Sequence, residues 1–414
     1  MHGTGTCAAG SGGKVRMKYG IVKAGQAFLY ETKEAAVELE TAQEKRDEGG
    51  VADEVFCGWT VRILEESKKI LYVRTFYGYE GYLPKKAVRR CRRKELQAYY
   101  TGASQGESGT AFYMVTDAFA DVQALPKVQG RILLTAPRGS LLAACGEEET
   151  GVQESAAGLS AQEQGTAADA VQSQETVTDA VQSGTIFDTG STETAENRAA
   201  GADTSAYLRV CLPDGRSGYV AASRVRRAVV PAAFTEALLF AKKKKDEDGA
   251  VRQRKSQGQG ISACAAARQS ASAAQKQGVP ACLVTEEKLR GRIVEAARQY
   301  LGAQYRWGGK SPAGIDCSGL AFMSYFLNGI LIYRDAHIME DYPIRQIPRE
   351  QLAAGDLIFF PGHVAVSLGG DRFLHSTGHA GEQGVVCGSL REGEQGYRAD
   401  LRDAVTACGS LFGK

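Results

Sequence analysis

Short apolar runs that alternate with polar residues dominate the first part of the chain. Examples are "VFCGWTVRIL" at residues 55–64 and "ILYVRTFYGYEGYLPKKAV" at residues 70–88. Runs rich in Val, Ile, Tyr and Phe that end at glycine or charged turns are typical of strands. A second set, "DVQALPKVQGRILLTAPRGSLLAA" and "YLRVCLPDGRSGYVAASRV", contains a Pro-Asp-Gly turn at residues 213–215. The pattern predicts two small all-β barrels in succession.

The spacing of apolar residues becomes helical near the start of the last third of the chain. In "TEEKLRGRIVEAARQYLG" the apolar residues share one helix face, and Thr285 is a suitable N-cap. A second helix is predicted from "CSGLAFMSYFLNGI", which starts at Cys317 and ends near Gly329. The short strands "DLIFF", "HVAVSLG" and "RFLHST" follow, joined by glycine-containing turns. Helices followed by an antiparallel sheet predict an α+β domain.

Two stretches are too poor in large apolar residues to form a packed core. Residues 147–204 are rich in Gln, Ala, Ser, Thr, Gly and Glu and repeat the string "DAVQS". Ordering such a backbone costs about 1–2 kcal/mol per residue, with little burial to offset it. We predict a first β domain at 17–92 and a second at 116–228, into which the disordered segment 147–204 is inserted. A low-complexity linker at 241–284 then leads to the α+β domain at 285–412.

Composition narrows the classes of partner. The apolar fraction of 43% suits globular domains, and the net charge is only +2 over 414 residues. No basic stripe carries interleaved aromatic residues, so nucleic acid is not an expected partner. The chain has no apolar run of about 18 residues, and residues 1–30 lack the apolar stretch of a secretory signal. We expect a monomeric cytoplasmic protein that does not bind membranes, with secretion or wall association as the alternative.

Histidine is more informative than cysteine. The ten cysteines are scattered without a CxxC pair, so most are expected to be reduced thiols. Four of the five histidines, His337, His363, His375 and His379, lie near the C-terminus, which is where acid-base chemistry is expected. They lack a carboxylate or cysteine partner at ligand spacing. We therefore predict no metal and no organic cofactor.

Cys317 lies at the predicted start of a helix, directly after Asp316. A thiol is nucleophilic as the thiolate, and a helix N-terminus favours that anion through its free N–H groups. The preceding "GGKSPAG" loop allows backbone or substrate to approach closely. Cys317 is therefore the candidate nucleophile, whereas an inert packing role is expected for the other cysteines.

A cysteine nucleophile needs a base, and the base needs an orienting partner. His363 begins one predicted strand and His375 lies in the next, on either side of the turn at Gly369 and Gly370. A hairpin centred on that turn would place the two imidazoles side by side, in register, on one face. We predict that His363 accepts the thiol proton and that His375 orients it.

The motifs "YRWGGKSPAGIDCSGL", "LAAGDLIFF", "HVAVSLGG" and "FLHST" together resemble the NlpC/P60 family of bacterial cell-wall cysteine peptidases, which have a papain-like core. The resemblance covers roughly residues 288–410. It implies Cys317 as nucleophile, His363 as base and His375 as orienter. It also implies that Tyr305 positions the thiol and stabilises the oxyanion, although Tyr305 could equally be a core residue beside Trp307.

The two β domains resemble bacterial SH3 domains, with "GYEGYL" and "DGRSGYV" as the closing strand. Two such domains before this core resemble the γ-D-glutamyl-diamino-acid endopeptidases that recycle wall peptides. Those enzymes bind a free N-terminal L-alanine through an aspartate in an "RDA" motif, which implies Asp335 in "YRDAH" for this role. Further substrate contacts are implied or expected for Ser318, Asp316, Glu54 and Tyr82, the last two as a wall supplied by the first β domain.

Some positions depart from the family pattern. Met339 stands where a glutamine commonly follows "RDA", and "IYRD" replaces "LPRD". These differences concern the shape of the pocket and leave the predicted triad intact. The leading hypothesis is hydrolysis of the γ-D-Glu–diamino acid bond in free wall-derived peptides. An endopeptidase that acts on intact peptidoglycan, with the SH3 domains binding the wall, and a non-enzymatic wall-binding protein are the alternatives.

Overall fold

The computed structural model describes residues 18–37, 50–101, 112–145, 207–228, 285–379 and 381–413. The predicted insertion at 147–204 and linker at 241–284 lie outside the described residues. Within those six ranges, no helix has the length and apolar character needed to cross a bilayer.

The first β domain is a seven-stranded antiparallel sheet. Its strands are β1 (Lys18–Val22), β2 (Gln26–Tyr30), β3 (Val51–Phe56), β4 (Thr60–Glu66), β5 (Ile70–Thr75), β6 (Glu80–Pro84) and β7 (Val88–Cys91), in the order β3-β2-β6-β5-β4-β1-β7. It also contains the helices α1 (Lys33–Val37) and α2 (Arg93–Thr101) and a 3-10 turn at Lys85–Ala87.

The second β domain repeats the first. Its strands are β8 (Phe112–Val115), β9 (Phe119–Gln123), β10 (Ile132–Pro137), β11 (Leu141–Ala144), β12 (Tyr207–Cys211), β13 (Ser217–Ala221) and β14 (Val225–Ala228), with a 3-10 turn at Ala222–Arg224. The order β10-β9-β13-β12-β11-β8-β14 matches that of the first sheet strand for strand. This sheet begins ahead of the predicted start at residue 116, because Phe112 is buried in the core.

Cys145 and Cys211 form a disulfide in the second β domain. Cys145 directly follows β11 and Cys211 is the last residue of β12. These neighbouring strands lie on either side of the predicted insertion. The scattered spacing of the cysteines gave no sign of this pairing, because partners from paired strands need not be close in sequence. The sequence analysis had treated the cysteines mostly as reduced thiols.

The C-terminal domain is α+β, which confirms the predicted class. Its helices are α3 (Glu286–Arg298), α4 (Cys317–Phe326) and α5 (Ala399–Arg402), with a 3-10 turn at Arg349–Gln351. A small hairpin, β15 (Lys310–Ser311) and β16 (Gly314–Ile315), precedes α4. The main sheet contains β17 (Arg345–Ile347), β18 (Leu357–Phe360), β19 (His363–Gly369), β20 (Arg372–Thr377), β21 (Gly384–Ser389) and β22 (Ala407–Ser410), in the order β17-β22-β18-β19-β20-β21.

Trp59 joins the three domains. Its ring is fully buried and lies 5.0 Å from that of Phe326 on α4, measured between centroids. Its indole N–H donates to the carbonyl of Gly139 in the second β domain, at 3.0 Å. Truncating a buried aromatic residue of this kind typically costs about 3–5 kcal/mol. The helix that begins at Cys317 is thus packed directly on the first β domain.

Candidate active site

Asp316 caps the helix that begins at Cys317. Its Oδ1 accepts a hydrogen bond from the N–H of Gly319 at 2.5 Å, and its Oδ2 accepts one from the N–H of Gly308 at 2.8 Å. The first bond satisfies a helix N–H that would otherwise lack a partner, which is why Asp is favoured at this position. The second bond ties the glycine loop to the helix. Asp316, predicted to contact substrate, is therefore occupied by contacts within the protein and only 6% exposed.

Two glycines allow the loop to close around the helix start. Gly308 has a φ of +71°, and a Cβ there would lie 2.6 Å from the side chain of Val51 on β3. A Cβ on Gly319 would lie 2.3 Å from the carbonyl oxygen of Gly309. Glycine is thus required for close packing of the loop against the first β domain and against α4.

Cys317 is only 7% exposed, and its sulfur lies beside strand β19. Burial and the negative charge of Asp316 raise the pKa of this thiol to about 11. Hydrogen bonds from the backbone N–H groups of Val364 and Ser318 lower the pKa but do not reverse this rise. Desolvation of the anion therefore outweighs the two N–H donors at the helix N-terminus.

Tyr305 lies near the same sulfur. Burial, followed by the charges of Cys317 and Asp316, raises the pKa of Tyr305 to about 12, so its hydroxyl stays protonated. Its backbone pairs with Ile315 in an isolated bridge. Trp307 is 64% exposed and does not form an aromatic core with Tyr305. The hydroxyl is therefore a potential hydrogen-bond donor beside the thiol, as its predicted role requires.

The structure brings His363 and His375 together, with Nε2 of the first 2.9 Å from Nδ1 of the second. The strands β19 and β20 do not have the predicted register. Val366 lies opposite Leu374, and this register places Ala365, rather than His363, opposite His375. A bulge near Gly369 shifts the pairing, so the imidazoles meet diagonally on one face of the hairpin.

Both imidazoles are neutral near pH 7. Burial lowers the pKa of His363 to about 4 and that of His375 to about 3, with Arg398 adding to both effects. Because His363 Nε2 is bonded to His375, its Nδ1 remains to accept a proton. The arrangement suits a neutral thiol-imidazole pair that transfers a proton when substrate arrives.

A buried network of charges lies beside the thiol and joins two domains. Asp53 on β3 accepts from Lys310 Nζ at 3.0 Å and from Arg334 Nε at 2.9 Å. Arg334 also binds both carboxylate oxygens of Asp316, at 3.1 and 3.0 Å, and the hydroxyl of Ser318 at 2.7 Å. Lys310 and Asp53 are completely buried, and Arg334 is 3% exposed. Each buried carboxylate is thereby paired with a cation, as burial of charge requires.

A pocket opens next to the thiol, between the C-terminal helix-sheet core and the segment that follows α4. Its lining includes Ser318, Tyr333, Asp335, His337, Tyr342 and Val364. Asp335 accepts a hydrogen bond from Tyr333, and burial raises the pKa of its carboxyl although Arg334 opposes the rise. Among the described residues, we find no ion pair to Asp335. Ser318 and Asp335 thus line the pocket that opens beside Cys317.

The structure places Glu54 and Tyr82 away from this pocket, contrary to the sequence analysis. Glu54 is fully buried, and its Oε2 accepts from the backbone N–H groups of Lys310 and Ser311 at 2.7 and 2.9 Å. Tyr82 packs in a separate cluster with Tyr30 on β2 and Ile70 on β5. The Tyr82 side chain packs in that cluster and not in the pocket lining.

Tyr79, in the turn before β6, lies near Asp335. Burial raises its pKa, and the nearby charges of Asp335 and Asp53 raise it further. The same turn contacts the C-terminal domain, since the Tyr342 hydroxyl donates to the carbonyl of Tyr77 at 2.9 Å. The first β domain therefore supplies an aromatic residue close to Asp335.

Sequence reasoning missed Asp53, Lys310, Arg334 and Tyr79. Arg334 belongs to the "RDA" motif next to Asp335, and Lys310 belongs to the glycine loop before Cys317. These positions in the sequence could have indicated a place in the site. No local pattern links Asp53 to Lys310, because the two residues are 257 positions apart.

Comparison with known proteins gives matches over the C-terminal domain and over most of the chain. Residues 302–399 match the NlpC/P60 family. The chain is 28% identical over 363 residues to dipeptidyl-peptidase 6 of Lysinibacillus sphaericus, covering 87% of this chain and 92% of that protein. It is 36% identical over 92 residues to γ-D-glutamyl-L-lysine dipeptidyl-peptidase of Bacillus subtilis (strain 168), covering 20% of this chain and 31% of that protein.

A solved structure supports the fold over nearly the whole chain. The crystal structure of an NlpC/P60 family protein from Bacillus cereus ATCC 10987 aligns with a TM-score of 0.54 and 14% identity, over 95% of this chain and 100% of the other. This likeness confirms the predicted arrangement of two SH3-like β domains before a papain-like domain. The match over residues 302–399 and the similarity to dipeptidyl-peptidase 6 confirm the predicted resemblance of the C-terminal domain to the NlpC/P60 family.

Proposed function

We propose that the protein is a cysteine peptidase that hydrolyses the γ-D-glutamyl–diamino acid bond of wall-derived peptides with a free N-terminal L-alanine. General peptidase activity follows from the similarity to the NlpC/P60 family. The bond and the amine requirement are the specific proposal.

The observation that carries the proposal is the position of Asp335. Its carboxylate lines the pocket beside Cys317, and Arg334, the neighbouring cation, is already bonded to Asp53 and Asp316. A peptide ammonium entering this partly buried pocket would form a charge-assisted hydrogen bond with Asp335. Tyr79 of the first β domain lies near Asp335, and we infer that it limits the length of peptide that precedes the bond.

The names of the two relatives agree with this substrate. One is a dipeptidyl-peptidase similar to most of this chain, and the other is named for the γ-D-glutamyl-L-lysine bond. A dipeptidyl-peptidase releases two residues from a free N-terminus, and L-alanine followed by γ-D-glutamate is such a pair of residues.

The chemistry uses groups already described. His363 takes the proton of Cys317 as the sulfur attacks the γ-glutamyl carbonyl carbon, forming the sulfur–carbon bond. Backbone N–H groups at the start of α4 and the Tyr305 hydroxyl stabilise the oxyanion. His363 then returns the proton to the leaving amine as the carbon–nitrogen bond breaks. Water activated by the same imidazole hydrolyses the thioester and restores the thiol.

The test compares L-Ala-γ-D-Glu-meso-diaminopimelate with its N-acetylated counterpart, using mass detection of the products. We expect cleavage of the free-amine peptide at the γ-glutamyl bond and much weaker cleavage of the acetylated peptide. Equal cleavage of both would refute anchoring by Asp335. Release of dye from labelled sacculi without cleavage of either short peptide would instead indicate an endopeptidase of intact wall.

A further inference from the structure

Two adjacent carboxylates of the first β domain reach the segment that carries Cys317. Asp53 and Glu54 lie side by side on β3 and are both fully buried. Glu54 binds the backbone of the β15–β16 hairpin, whereas Asp53 binds the side chains of Lys310 and Arg334. None of these contacts is available to solvent or to a peptide in the pocket.

The Asp53 contacts lead to the thiol in three steps. Asp53 accepts a hydrogen bond from Nε of Arg334. The two terminal nitrogens of Arg334 donate to the two carboxylate oxygens of Asp316. Asp316 in turn caps α4, whose first residue is Cys317. The Arg334 guanidinium is planar. The hydrogen bond to Asp53 at one edge therefore fixes the orientation in which the other edge binds Asp316.

The charges in this network balance. Asp53 and Asp316 are matched by Lys310 and Arg334. Burial lowers the pKa of Lys310 to about 8, opposed by Asp53, while Asp316 and Asp53 raise the pKa of Arg334 against the effect of burial. The Lys310 ammonium also lies over three aromatic rings, those of Trp59, Tyr77 and Phe322, between 4.3 and 4.9 Å from their centroids. Such contacts with ring faces favour a cation.

We propose that Asp53 is a positioning residue for Cys317, acting through Arg334 and the Asp316 cap, so that the first β domain completes the active site of the C-terminal domain. The proposal rests on the nucleophilic role of Cys317 in the proposed function. It does not depend on which peptide is cleaved.

A purely structural ion pair would behave differently from a positioning residue. Loss of a structural pair lowers the free energy of unfolding and leaves the kinetics of the folded enzyme unchanged. Loss of a positioning contact displaces the sulfur from His363 and slows its reaction even in a folded enzyme. Displacements of about 1 Å can cost about 100-fold in rate.

The test uses the full chain with Asp53→Asn, the double variant Asp53→Asn/Lys310→Met, and Glu66→Gln as control. The double variant removes one anion and one cation together, and Met can fill the space among the three rings, so folding is retained. Glu66 forms ion pairs with Lys18, Lys85 and Arg90 on the first β domain, away from Arg334. The melting temperature, the kcat and KM for the cleaved peptide, and the rate of Cys317 alkylation by iodoacetamide are measured for each.

We expect both Asp53 variants to lose roughly 10- to 100-fold in kcat, with a smaller change in KM, and to alkylate Cys317 more slowly than the wild type. Glu66→Gln should match the wild type in kcat, KM and alkylation rate. The proposal is overturned if the double variant keeps the wild-type kcat and alkylation rate, whatever its melting temperature, or if kcat follows melting temperature alone across the variants. Alkylation requires no peptide, so it tests Asp53 even where no short peptide is cleaved and the proposed substrate is wrong.

Discussion

His363 and His375 come from neighbouring strands that are out of direct register, yet their Nε2 and Nδ1 atoms are 2.9 Å apart. Both rings share one face of the hairpin, and His375 is completely buried. With the Nε2–H of His363 donating to His375, the Nδ1 of His363 is left as the acceptor for the Cys317 proton. The contact with His375 therefore decides which nitrogen of His363 serves as base.

His375 should tolerate replacement by asparagine better than by alanine. The side-chain oxygen of Asn can accept the Nε2–H of His363 and keep the ring oriented, whereas Ala removes the acceptor. We expect His375→Ala to lower kcat by roughly 100-fold or more and His375→Asn to lower kcat by a smaller factor. Steady-state kinetics with the cleaved peptide measures the difference. Equal kcat values for the two variants would argue against an orienting hydrogen bond.

Asp335→Asn should affect recognition of the free amine. Replacing the carboxylate with an amide removes one charge-assisted hydrogen bond, of about 1.5–3 kcal/mol, which corresponds to roughly 10- to 100-fold in kcat/KM. The loss should be confined to the free-amine peptide, so that the preference over the acetylated peptide disappears. Met339→Gln, which restores the residue common in related sequences, serves as a matched pocket variant and should keep the preference. A preference unchanged in Asp335→Asn would contradict the assigned role.

The acid limb of the pH profile should lie below the ordinary range for histidine. The base must be neutral to accept the thiol proton, and burial lowers the pKa of His363 to about 4. As pH falls, imidazolium therefore accumulates only near that value, rather than near the unperturbed pKa of about 6.5. We expect kcat/KM to hold through pH 6 and to fall below about pH 5. An acid limb at or above the unperturbed value would show that the base is not the desolvated imidazole of His363.

Glu54 should behave as an anchor of the hairpin. Glu54→Gln keeps an oxygen that can accept the N–H bonds of Lys310 and Ser311, so its effect on stability and on amine preference should be small. Glu54→Ala leaves two buried N–H groups unpaired, at about 1–3 kcal/mol each. Urea unfolding measures this cost. A raised KM for the free-amine peptide in Glu54→Gln, at unchanged stability, would show instead that the carboxylate contacts substrate.

Much of the fold was predictable because local signals agree with the global arrangement. Thr285 accepts the N–H of Lys288 as the expected N-cap, and strands β19 and β20 cover the predicted "HVAVSLG" and "RFLHST". The α+β class followed from the helical and alternating patterns. The identical strand orders of the two β domains could not be derived, because two aligned strands per domain do not define a seven-stranded order.

The candidate site was predictable only where its functional residues lie close together in the sequence. Asp316 next to Cys317, and two histidines on one hairpin, are short-range patterns. Residues that reach the site from another domain leave no such pattern, which is why Asp53 and Tyr79 were missed. The raised pKa of Cys317 was also missed, because burial is a property of the packed domains and opposes the helix N-terminus.

The most direct test of the account is to look for the acyl-enzyme. The protein is mixed with L-Ala-γ-D-Glu-meso-diaminopimelate, quenched with acid within the first turnover, digested and analysed by mass spectrometry, with Cys317→Ala as control. The account predicts an L-Ala-D-Glu thioester on the peptide that contains Cys317, and neither adduct nor cleavage in the variant. An adduct on another residue, or cleavage by Cys317→Ala, would contradict it.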